Sequence, residues 1–410
     1  MWDLNDVHTW LAAWDSQGIH RTATPGDDAG ADWLAATATA LGATVTQERF
    51  PLHRVDPIAG SVTFDNTTIN GTPLFDAPDG TAQGNAGPIG HPAAAIGIAE
   101  TDPRTVYSPR FRAMRETAPH AALVLVTVAE APGLALLNAE SFLAQYGPPV
   151  LQVSSHHAPA LAQAAQRATP MRQTIRTARR PTHACNVVAT VRGRDPTAPP
   201  LVVMTPRSSW WTSTSERGGG LVCWLACLKA ILATAPQRDV IFTANSGHEL
   251  GHIGLDAFIH TRPGWEQKAT WLHWGANIGA TGGRLSVMSA HDHLRQAMAH
   301  ALTATGQPHT VASADLVPLR RNPGPASRRR PLHHPGRQQH PVPPAAGPPA
   351  TRPGHRRGRP RRHRRGHSGL DAVTTPPHGL TPTAAPLHTA HEQARPSDRH
   401  RPHRPPYAPA

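Results

Sequence analysis

The 410-residue chain has only three cysteines, Cys185, Cys223 and Cys227. Three thiols make no disulfide framework. Cys223 and Cys227 lie four apart with no second pair to complete a zinc site, so the cysteine usage points to a reducing compartment. No apolar run approaches the length of a membrane-spanning helix. The first fourteen residues place Asp3, Asp6 and His8 among apolar neighbours. They read as an amphipathic helix rather than a secretion signal, and the expected location is cytoplasmic. Acidic residues are scarce at one end. Residues 320–410 hold 18 Arg, no Lys and three acids, a net charge of 18 − 3 = +15. The rest carries (40 − 18) − (27 − 3) = −2, so the high isoelectric point belongs to the tail alone.

That tail, 317–410, lacks apolar periodicity and is expected to be disordered. Arginine without lysine, mixed with Pro, His and Gly, is also what a GC-rich gene gives when read out of frame. A replaced C-terminus is therefore favoured over an evolved nucleic-acid arm, and nucleic acid is not an expected partner.

Chemistry concentrates in Asp239–Phe258, DVIFTANSGHELGHIGLDAF. His248, Glu249 and His252 spell H-E-x-x-H, the helical spacing by which two imidazoles hold zinc beside a general-base carboxylate. Context argues against that reading. Val240–Ala244 is an apolar, β-prone run, and Asn245, Ser246 and Gly247 are turn residues. His248 therefore falls at a strand-to-helix junction, with a helix expected from about Glu249. Gly251 and Gly254 each weaken a helix by about 1 kcal/mol relative to Ala.

The same stretch, Gly247-His248-Glu249-Leu250-Gly251-His252-Ile253-Gly254, resembles the G-E-E-x-G-L-x-G signature of the M28 zinc metallopeptidases, an aminopeptidase-like family. The opening His20–Asp28, followed by a helix over 29–41 and a strand over 43–50, resembles the family's R-x-x-G-T-P-G start. The resemblance implies that Glu249 is a zinc ligand and that His248 stands at the general base. It also implies departures. The family's H-x-D ligands correspond to Pro206-Arg207-Ser208, and its D-N-x-S-G to Glu216-Arg217-Gly218-Gly219-Gly220. Its L-D-x-x-G aligns with Leu272-His273-Trp274-Gly275. The implied metal set is thus Glu216, Glu249, His273 and His252, holding one zinc ion at most. Arg207, Trp210 and Trp211 are candidate substrate contacts, and a cation at 207 could pair with Glu216 or Glu249. Each has a plainer alternative: Glu216 as a helix-start carboxyl, His273 and His252 as packed residues, the Trp pair as a core cap.

Strands are expected at 186–192 and 201–204, paired with each other, then at 240–244 and 269–276. Helices are expected at 221–232 and 292–305. The alternation predicts an α/β three-layer sandwich with a mixed sheet, residues 1–57 and 183–316, interrupted by a β-rich insert at 58–182. Strands at 60–69, 121–128 and 147–153 and a helix at 158–167 make the insert resemble a protease-associated domain. Two functions follow: a zinc hydrolase cleaving a peptide or small amide, and a non-catalytic relative that binds a peptide or partner.

Overall fold

The computed structural model describes residues 3–281, 283, 285–289 and 291–312; the expected disordered tail lies outside them. The chain opens with α1 (Leu4–Asp15), capped by the Asp3 carboxyl, and α2 (Pro25–Ala40), which has Pro25 in its first turn. The long strand β1 (Thr44–Phe64) turns through Asp65 and Asn66 into β2 (Thr67–Asn70). Next come β3 (Thr72–Pro73), β4 (Gly80–Pro88), β5 (Ile96–Thr101), α3 (Pro109–Thr117), β6 (Ala122–Thr127), β7 (Val150–Ser154) and α4 (Ala158–Gln166). The second long strand, β8 (Pro170–Val191), leads to β9 (Leu201–Pro206), α5 (Gly219–Leu232), β10 (Val240–Asn245) and α6 (Ile253–His260). Then follow α7 (Trp265–Lys268), β11 (Thr270–His273), β12 (Leu285–Val287), α8 (Asp292–Ala304) and β13 (His309–Val311).

The expected mixed sheet is present. Its order is β11-β9-β10-β8-β4-β5-β6-β7-β3, with β1 paired to β8 and β2, while β12 and β13 pair separately. β9, β10 and β11 are parallel; β8 runs antiparallel to β10. One expectation fails here. The strands at 186–192 and 201–204 are not neighbours, because β10 lies between them. The parallel β9–β10 pair is reached by a crossover through α5, as parallel pairing requires.

Alternation sorts the sheet's side chains into two layers. Val187, Ala189, Val203, Phe242 and Ala244 pack under α1, α2 and α5, against Trp14, Leu34, Trp224 and Leu228. Val188, Val202 and Ile241 face the other way, under Phe258 of α6. Burying one Leu- or Phe-sized side chain contributes about 1.5–3 kcal/mol, so these two layers fix the strand ends on which the candidate site sits.

The ribbon of β1 and β8 runs in register from Thr44↔Thr190 to Thr63↔Arg172, with a bulge between Pro57 and Ala59. It is far longer than the strands read from sequence. At its far end β4–β7 pack α4 on one face through Val124, Val153 and Leu161. The other face carries Phe111, Leu123, Leu125 and Leu137. No described helix is long and apolar enough to cross a membrane.

Candidate functional site

The site forms where β9 and β10 end. Ser246 and the turn 247–252 separate β10 from α6, so the helix begins at Ile253, not near Glu249. Gly247 and Gly251 both have φ +77 and His252 has φ 63, a run that no α-helix allows. His248 and His252 therefore do not share a helix face, and the H-E-x-x-H geometry of the helical zinc motif is absent. The turn is pressed tightly against α6. A Cβ on Gly254 would stand 2.1 Å from the Ser246 carbonyl oxygen.

Glu249 is fully buried at the centre of a hydrogen-bond cluster. Its Oε1 accepts from the Thr22 backbone N–H at 2.8 Å and from the Thr22 hydroxyl at 2.6 Å. Its Oε2 accepts from the Ser208 hydroxyl at 2.6 Å. Each hydroxyl in turn accepts from the turn's backbone: Gly247 N–H donates to Thr22 Oγ1 at 3.0 Å and His248 N–H to Ser208 Oγ at 3.1 Å. The carboxyl thus ties together the segment before α2, the end of β9 and the turn after β10. The Glu249 carbonyl also accepts from Ala139 N–H at 2.8 Å, linking the turn to the loop between β6 and β7. Sequence reasoning missed Thr22 and Ser208 as partners of Glu249, since they lie 227 and 41 residues away.

Arg207 does not pair with Glu216 or Glu249. It is fully buried and bridges to Asp27 Oδ1 at 2.8 Å, with a second donation to the Cys185 carbonyl at 2.8 Å. Asp27 is held further by Ala23 N–H at 2.8 Å and the Ser246 hydroxyl at 2.7 Å. Burial pushes the Asp27 carboxyl upward, and Arg207 opposes that rise. Sealed in this pair, Arg207 is not exposed to a substrate. Arg217, also buried, donates to the Ser208 carbonyl at 2.9 Å and pairs with the partly exposed Glu216 at 2.7 Å. Its Nη1 has no hydrogen-bond partner.

The histidines gather near Arg217. The His248 and His252 rings meet edge-on, with centroids 4.4 Å apart. Burial drives the His248 pKa well below its ordinary value, and Arg217 and the neighbouring His252 and His273 push the same way. His273, at the end of β11, is lowered by burial and then by Arg217. A base depressed this far is neutral at pH 7 but holds a proton weakly.

Trp210 is buried, edge-on to Phe75 at 5.1 Å, and donates to the Asn138 side-chain oxygen at 3.1 Å. It packs in one cluster with Phe50, Phe75, Phe142 and Leu250, while Trp211 is 45% exposed. Glu249 and His248 are thus adjacent, and Glu216 lies on the turn leading into α5. Among the described residues, no group of three or more His, Cys, Asp or Glu side chains is placed to hold a metal ion.

No family model matches the chain, and no curated protein matches it. Solved structures do. A zinc aminopeptidase from Bacillus subtilis matches with a TM-score of 0.58 at 13% identity, over 75% of this chain and 78% of that one. A peptidase M28 precursor from Shewanella amazonensis SB2B gives 0.57 at 16%, over 75% and 79%. An aminopeptidase from Aneurinibacillus sp. strain AM-1 gives 0.50 at 12%, over 66% and 69%. Identities this low speak for architecture alone: the chain shares its fold with zinc aminopeptidases.

Proposed function

We propose that this chain is a non-catalytic relative of the zinc aminopeptidases that binds a peptide or partner chain. The observation that carries this reading is the engagement of both oxygens of Glu249 within the protein. Thr22 gives Oε1 two hydrogen bonds and Ser208 gives Oε2 one, and drawing the carboxyl onto zinc would strand those buried donors. The neighbouring donor set agrees with it. Pro206-Arg207-Ser208 supplies no metal ligand, and Arg217 sets a guanidinium beside His248 and His273. These residues do not suit a zinc centre. On this reading residues 1–57 and 183–316 are the peptidase-like body, and 58–182 is a protease-associated-type recognition insert.

The second reading, a single-zinc hydrolase acting on a peptide or small amide, is favoured by the proximity of His248, His252 and His273. His248 would then serve as base or ligand, and Glu249 and Glu216 would have to leave their present partners. Elemental analysis and zinc calorimetry on the full chain, with aminopeptidase assays on wild type and Glu249→Ala, separate the two. The binding reading expects no tightly held zinc and no turnover in either protein. Stoichiometric zinc together with turnover lost in Glu249→Ala overturns it.

A further inference from the structure

Two thiols take no part in the site described above. Cys223 and Cys227 lie on α5, four residues apart. That spacing puts them on one face of the helix, with Cβ atoms about 5–6 Å apart. Both are half-buried, whereas Cys185 on β8 is buried. Burial pushes the Cys223 thiol up to about 11, and the neighbouring Cys227 pushes the same way. Burial also raises Cys227, while the Trp274 indole N–H acts on it in the opposite sense. The two sulfurs and this indole therefore share one small site, where the residue following β11 meets α5.

The indole is its most telling member. Trp274 Nε1 is buried and has no hydrogen-bond partner. A protonated thiol is a weak acceptor. A thiolate accepts more strongly, so ionising Cys227 against a bound cation would give that N–H a partner. Coordination number decides which cation. Among the described residues, no group of three or more His, Cys, Asp or Glu side chains forms around these thiols. Zinc in a structural site takes four ligands, which this pair does not offer. Soft thiolates select Cu(I), an ion that two sulfurs satisfy.

We propose that Cys223 and Cys227 bind one Cu(I) ion as a two-coordinate bis-thiolate, with the Trp274 N–H donating to the Cys227 sulfur. As the two S–Cu bonds form, both S–H protons leave to solvent and no electron is transferred. The inference is independent of whether the turn at Glu249 carries chemistry. It is tested on the full chain, reduced and anaerobic, by competition for Cu(I) with bathocuproine disulfonate. Wild type and Cys185→Ser should each withdraw one equivalent. Cys223→Ser and Cys227→Ser should lose that equivalent, and Trp274→Phe should hold it about tenfold more weakly, the scale of removing an outer-shell partner. A readout that needs no variant is alkylation. Cu(I) should shield Cys223 and Cys227 of the wild-type chain from iodoacetamide, read by peptide mass, and leave the labelling of Cys185 unchanged. The chain's 27 histidines are the competing ligands. Equal uptake by wild type and Cys223→Ser would assign the copper to imidazoles and overturn the proposal. So would a wild-type chain that takes no copper from the competitor, or both thiols alkylated at the same rate with and without Cu(I).

Discussion

Replacing Glu249 by alanine should destabilise the protein severely, whether or not metal is present. The carboxyl accepts from three buried donors at 2.6–2.8 Å, and no water can replace it without a cavity. Each stranded donor costs about 1–3 kcal/mol. The donors share one network, so their costs do not add fully, and a total of about 3–5 kcal/mol is expected, in line with breaking other buried charged networks. For a body of this size that is about 6–10 °C in melting temperature, taking the low end of the shift per kcal/mol. Glu249→Gln keeps one acceptor oxygen for Thr22 and loses the acceptor for the Ser208 hydroxyl, so it should cost about 1–2 kcal/mol. Thr22→Val should be strongly non-additive with Glu249→Ala, because both remove the same contact. Thermal and urea unfolding, with and without EDTA, measure all of these. A Glu249→Ala protein within about 0.5 kcal/mol of wild type, the range of neutral surface substitutions, would refute the reasoning. So would a loss of stability seen only when zinc is present.

Other expectations follow from the same geometry. Arg207→Met leaves Asp27 buried without its counter-ion and should cost about 3–5 kcal/mol by chemical denaturation, while a further Asp27→Asn should recover part of that. His20 is buried, stacked on Trp14 at 3.5 Å, and donates from Nδ1 to the Thr212 carbonyl; burial lowers its pKa to about 4. The unfolded chain takes up that proton first, so its contribution is intact above about pH 6.5 and lost progressively as pH falls towards 4. Urea midpoints measured across that window should decline in wild type and flatten in His20→Phe. Gly254→Ala drives a methyl into the Ser246 carbonyl and should destabilise by about 1–3 kcal/mol, readable as a shifted urea midpoint.

The sequence made the layered fold legible because its core obeys simple periodicities. β10 is an unbroken apolar run ending in Asn245, Ser246 and Gly247, and α5 carries a clean apolar stripe through Leu221, Trp224, Leu225 and Leu228. The long ribbon was hidden for a physical reason. Pro51, Pro57 and Pro181 read as breakers. They are tolerated because there β1 and β8 pair only with each other, so a missing N–H on the outer edge breaks no ladder bond. The site was harder to read. Glu249 could be picked out as an unusual carboxyl, but its partners come from distant segments, and no local pattern marks Thr22 or Ser208. Arg207 was expected beside Glu216 or Glu249 because arginine is ordinarily a surface residue, and only the fold reveals Asp27 and the Cys185 carbonyl, which make its burial possible.

Those two arginines bear on how a hydrolase-like fold could persist without an ion. A cluster of carboxyls at strand ends repels itself unless positive charge is placed among them. On the binding reading, the guanidiniums at 207 and 217 supply two positive charges, as many as one divalent ion brings. Each is fixed to its own carboxyl, Asp27 and Glu216, and Glu249 is left to hydroxyl and backbone donors. A guanidinium is bound covalently to the chain, so this compensation is complete on folding and does not depend on metal supply. On that reading, building a metal centre here would take concerted change: removing Arg207 alone strands Asp27, and adding ligands alone leaves two cations near the incoming ion.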